Sequence, residues 1–112
     1  MHEFSIALSI AGIAADVAAK NHLHTVHEVE VELGQIAGVI PEALEFAWES
    51  ARKNTLVAEA VLRIRLVELE VRCHACGQLH KPSDLYSACP ACGLIQPEIV
   101  TGKELRVVAI SA

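Results

Sequence analysis

The sequence predicts an α+β fold: a small three-stranded sheet with two helices, plus an inserted zinc-ribbon module. Three observations carry this expectation. Apolar residues recur at helical spacing in two stretches and at strand spacing in three others. Four cysteines, all that the chain has, fall in the pattern C-x2-C-x12-C-x2-C. They lie between the second predicted strand and the last one. With 53% hydrophobic residues over 112 positions, there is material for one core and one small extra module.

The elements follow in order. Ser5 is a candidate helix cap, and Ile6, Ile10, Ile13 and Val17 then recur at intervals of four, three and four. The helix should end near Asn21. From Glu28 to Leu33 acidic and apolar residues alternate strictly, as in a strand with one wet face, and Gly34 stops it. Pro41 suits a first helical position, with Leu44, Ala47, Trp48 and Ala51 along one face and Asn54 near the end. Trp48 is expected in the core.

A second strand is predicted from about Leu62 to Val71. Its alternation slips at Val67, which predicts a bulge near Leu66-Val67. Arg63 and Arg65 should face Glu30 and Glu32 across the sheet. Leu105 to Ile110 reads as the third strand. Strand, helix and strand form a right-handed parallel crossover unit. The last strand should return antiparallel beside the second. Residues 1–70 and 99–112 then make one discontinuous α/β domain, and residues 71–98 the zinc ribbon.

The cysteines carry the clearest chemistry. Cys73 and Cys76 form one pair and Cys89 and Cys92 the other, each followed by a glycine, Gly77 or Gly93. Two residues between thiolates let both reach one ion, and glycine permits the tight turn. Two such knuckles supply four soft ligands at tetrahedral corners, the pattern of a closed structural zinc site. With four thiolates the ion has no open position for a water, so the site is structural. The segment has few large apolar residues, and metal binding should supply most of its folding free energy. Paired disulfides are the rival reading. With no signal peptide read at the start, a reducing cytoplasm is expected, where thiols persist.

Charge narrows the partners. The formal net charge is −5. Residues 1–70 carry five Lys or Arg against eleven Asp or Glu, and residues 71–98 two of each. A ribbon that binds nucleic acid needs a basic face for the phosphates. This one has no such face, and Tyr86 is its one aromatic residue, so a protein partner is expected. No apolar run reaches the roughly 20 residues of a membrane span.

The chain begins Met1-His2-Glu3. A terminal amine, the His2 amide nitrogen and the His2 imidazole can chelate one ion in two fused rings, with the Glu3 amide or an added side chain closing a plane. Deprotonated amides suit metals of planar preference, Ni(II) and Cu(II), rather than Zn(II). By itself a histidine at position two is weak evidence. His22, His24 and His27 read as solvated loop residues. His74 and His80 flank the first knuckle, where either could hydrogen-bond a metal-bound thiolate.

Taken together, the opening Met1-His2-Glu3-Phe4-Ser5, the stretch from Leu33 to Ala47, the two knuckles and the closing Gly102-Lys103-Glu104-Leu105 resemble one family. It is the HypA-type hydrogenase maturation nickel metallochaperone, used also in urease maturation in some bacteria. The resemblance covers nearly the whole chain. It implies nickel at Met1, His2 and Glu3, with His2 indispensable, and structural zinc at Cys73, Cys76, Cys89 and Cys92. It implies cooperation with a HypB-type GTPase and delivery to the hydrogenase large subunit precursor. It also implies a small α/β domain with a zinc ribbon inserted before the last strand.

Two other classes compete. A zinc-ribbon interaction module would leave the terminus inert. A rubredoxin-like iron protein shares the knuckles but needs an aromatic shelter that the sequence lacks. An enzyme is not expected: there is no cysteine outside the knuckles, no nucleophile beside a base, and no phosphate-binding glycine loop.

Overall fold

A computed structural model describes residues 3–112. Helix α1 spans Glu3–Lys20, strand β1 Glu28–Gly34 and helix α2 Pro41–Ala51. Strand β2 covers Val61–Val67, β3 Glu70–Cys73, β4 Leu79–His80, β5 Pro97–Thr101 and β6 Leu105–Ser111. The strands form two three-stranded sheets, one ordered β2-β1-β6 and the other β4-β3-β5. The molecule is elongated. Its radius of gyration is 17.2 Å, where a single compact body of this length would have about 13 Å.

The first sheet bears out the parallel unit. β1 and β2 run parallel, with Glu30 opposite Arg63 and Glu32 opposite Arg65. The core lies between this sheet and the helices, built on Ile10, Val29, Val31, Leu44 and Trp48. Trp48 is buried, and its indole N–H donates to the Ala60 carbonyl at 3.0 Å. That bond satisfies the one polar atom the ring brings inside.

Four expectations are corrected. The first concerns α1, which begins at Glu3, so Ser5 lies within its first turn rather than capping it. Its buried stripe is Ala7, Ile10, Ala11, Ala14 and Ala18, while Ile13 and Val17 are 51% and 39% exposed. Two apolar stripes of helical period compete on this helix. Small alanines allow close packing against α2 and the sheet, and the alanine stripe faces inward.

The second correction is strand order. β6 pairs antiparallel with β1, not β2. The link before β6 crosses the end of β1, where the Gly34 N–H donates to Glu104 O at 2.6 Å and the Ile36 N–H to Gly102 O at 2.8 Å. A Cβ on Gly34 would be driven into the Gly102 carbonyl, so glycine is required by this crossing. The returning chain therefore enters the sheet beside β1.

The third is the predicted bulge. The phase slip after Leu66 marks a change of sheet: β2 ends at Val67, and β3 begins at Glu70 in the second sheet. Leu69, fully buried between them, lies beneath Gly102. The second sheet thus runs from Glu70 to Thr101.

The fourth concerns Glu32, which was expected on the wet face and is 6% exposed. Its carboxylate is held between Arg65 on β2 and Arg106 on β6, the latter at 2.6 Å. A buried carboxylate requires such pairing.

Candidate metal centre

The two knuckles are built alike. In the first, the Cys73 N–H donates to Gln78 O at 2.9 Å and the Gly77 N–H to Cys73 O at 2.7 Å. In the second, the Cys89 N–H donates to Leu94 O at 2.8 Å and the Gly93 N–H to Cys89 O at 2.8 Å. Gly77 and Gly93 have φ of 79° and 80°, in the left-handed region that glycine enters without a Cβ clash. The glycine after each second cysteine is thus explained by backbone geometry. β3 delivers the first knuckle, and Cys73 ends that strand opposite Pro97 on β5.

All four sulfurs lie within 4.8 Å of one another. Cys73 and Cys92 are 3.7 Å apart, and Cys76 and Cys89 3.6 Å. A tetrahedral ion with metal–sulfur bonds of about 2.3 Å places its ligands roughly 3.8 Å apart. A disulfide needs about 2.05 Å. The four cysteines are free and fit a tetrahedral thiolate site, so the disulfide reading fails. Cys73 and Cys89 are buried, while Cys76 and Cys92 reach the surface.

The thiols are not equivalent before metal binds. Cys89 is pulled down to about 7, chiefly by the Cys92 backbone N–H and further by that of Ala91, against partial desolvation. At Cys76 the Gln78 backbone pulls downward, but desolvation and the neighbouring sulfurs prevail and push it up to about 12. An incoming cation therefore finds Cys89 more readily ionised than Cys76, and metal binding displaces the protons that remain.

The remaining predicted residues fall as follows. Among the described residues, the four cysteines are the one group with metal-holding geometry, and His22, His24 and His27 form none. His74 Nε2 lies 4.0 Å from a Glu98 oxygen. Both His80 nitrogens are buried without a hydrogen bond among the described residues. Tyr86 is 83% exposed and shelters no sulfur, which counts against the rubredoxin-like reading. Met1 and His2 lie outside the described residues. Glu3 opens α1, whose first turns lie against Leu105 and Arg106 at the start of β6. This is the end of the first sheet from which the second departs.

Sequence reasoning missed Gln35. Its Nε2 donates to Ser83 O at 3.0 Å in the ribbon, and its Oε1 accepts from the Leu69 N–H at 2.9 Å in the link between the sheets. One side chain thus ties β1 to the ribbon and to the strand that enters it. It lies in the stretch from Leu33 to Ala47 that carries the family likeness, but no periodicity there assigns it a contact.

A family model described as hydrogenase/urease nickel incorporation, metallochaperone, HypA matches residues 1–112. The chain belongs to the HypA family. It is 40% identical over 111 residues to the hydrogenase maturation factor HypA of Chlorobium phaeobacteroides, covering 99% of this chain and 98% of that one. To the HypA of Roseiflexus sp. it is 39% identical, covering 98% and 90%. The solution structure of the nickel metallochaperone HypA from Helicobacter pylori matches with a TM-score of 0.70 at 29% identity, over 99% of this chain and 97% of that one. As a HypA, the chain is a hydrogenase maturation factor whose work is nickel incorporation. Among the described residues no helix is long and apolar enough to cross a membrane.

Proposed function

We propose that this HypA carries Ni(II) at its amino terminus and delivers it to the hydrogenase large subunit precursor together with a HypB-type GTPase. Met1, His2 and Glu3 hold the nickel: the terminal amine, the His2 amide and imidazole nitrogens, and a donor from Glu3. Planar coordination by amide nitrogen selects Ni(II) over Zn(II), and availability selects it over Cu(II). Such a chelate can be taken apart donor by donor when a recipient offers ligands. Urease maturation proteins are recipients of the same kind.

Cys73, Cys76, Cys89 and Cys92 hold Zn(II), which supplies no reaction and fixes the fold of the ribbon. Residues 1–70 and 99–112 act as the nickel domain and residues 71–98 as the zinc domain, in the cytoplasm. The observation that carries the reading is the family match, which includes the three terminal residues along with both knuckles. Glu3 stands at the head of α1, and this supports the reading because the helix gives the third donor a fixed base.

The test is a titration of Ni(II) into untagged, zinc-loaded protein, following the absorption of planar nickel. Wild type should bind one equivalent and His2→Ala none. Equal binding by both would overturn the terminal site and leave an interaction module in its place.

A further inference from the structure

Among the described residues β2 is an edge strand, with β1 on one side and no strand on the other. Its phase follows from two bonds: the Val61 N–H donates to His27 O, and the Gln35 N–H to Val67 O. Alternate residues of a parallel strand address the same neighbour. Val61, Arg63, Arg65 and Val67 therefore face β1, and Leu62, Ile64 and Leu66 turn backbone N–H and C=O to the open edge. Natural edges are usually blunted by bulges, prolines, charged side chains or a covering element. Of these β2 carries the charges of Arg63 and Arg65, both held by carboxylates of β1. β2 pairs with β1 in unbroken register over all seven of its residues and contains no proline. Val61 and Leu66 along it are 61% and 62% exposed.

A groove runs between this edge and α2. Two cavities of about 310 and 370 Å³ line it, sharing Glu45, Val61 and Leu62. The first holds three carboxylates, Glu45, Glu49 and Glu59, against one guanidinium, Arg52. Arg52 is already paired with Glu49 at 2.9 Å. In the second cavity Arg63 and Arg65 are engaged by Glu28, Glu30 and Glu32. The unneutralised charge of the groove is therefore negative and concentrated where β2 begins. Phe46, 84% exposed, stands on the next face of α2.

We propose that the open edge of β2 is the docking site for an extended, lysine- or arginine-bearing segment of a partner protein, which adds to the sheet as a fourth strand. Main-chain bonds to Leu62, Ile64 and Leu66 hold the segment, and Glu45 and Glu59 select its basic side chains. A second copy of this chain is disfavoured as occupant. The copy would bring the same unneutralised carboxylates, Glu45 and Glu59, to the seam, and like charges repel.

The test uses isotope-labelled, zinc-loaded protein and a blocked peptide of alternating valine and lysine, with a valine–glutamate peptide as control. The lysine peptide should shift the amide resonances of Leu62, Ile64 and Leu66 and slow their exchange. Glu45→Lys, an exposed position, should raise its dissociation constant about fivefold, as expected for losing one attraction and adding one repulsion. Leu66→Pro, which deletes one outward N–H, should weaken binding even if Glu45→Lys disturbs the helix. Shifts centred elsewhere, equal affinity in both variants, or binding of the glutamate peptide would overturn the proposal. So would exchange protection of the same amides without peptide that grows with protein concentration, which would give the edge to a second copy.

Discussion

The α/β part and the ribbon are held together by different physics. The first buries Trp48, Leu44, Val29, Val31 and a stripe of alanines between one sheet and two helices. From residue 71 to 98 the buried side chains are Val71, Cys73 and Cys89, two of them thiols. One region is stable because apolar surface leaves water, the other because four thiolates converge. The first should tolerate loss of metal, and the second should not.

The sharpest way to break this comparison is to remove the ion. Chelation of the loaded protein, or Cys73→Ser, should unfold the second sheet while α1, α2 and β1 persist. Structural zinc in small modules contributes about 10 kcal/mol or more. Amide exchange read residue by residue should show protection lost across β3 and β5 and kept across β1. Simultaneous loss in both regions would mean that they fold as one unit.

The converse is Trp48→Ala, which removes the largest buried side chain and leaves the Ala60 carbonyl without its donor. It should cost the α/β part about 3–5 kcal/mol by denaturant unfolding. Cobalt substituted into the cysteine site should keep its tetrahedral absorption.

Between the two regions stands Gln35. Gln35→Ala strips partners from Ser83 O and the Leu69 N–H, at a cost of about 1–3 kcal/mol for the buried member. Its signature should be orientational: residual dipolar couplings should report a ribbon tumbling more independently, with both modules folded.

Much of the metal centre was legible in the sequence, because each knuckle is a local object. The cysteine spacing and the glycine after each pair are set within a few residues. The same holds for the strand at Glu28, for the helix starting at Pro41 and for the core position of Trp48. Errors arose where two local patterns were both sound. Ile13 and Val17 keep helical period as well as the alanines do, and only packing against α2 and β6 decides between them. The slip at Val67 is real, but a bulge and a change of sheet leave the same trace in a sequence.

By itself, then, the sequence determined the two helices, strands β1 and β6, the two cysteine knuckles and, through its full-length likeness, the family. Tertiary structure alone decided that β6 lies beside β1, that Glu32 is buried between Arg65 and Arg106, and that Gln35 ties the two regions together. The physical reason is range. Backbone geometry and side-chain period act over a few residues, whereas these contacts join positions tens of residues apart and exist only once the chain has crossed at Gly34 and Gly102.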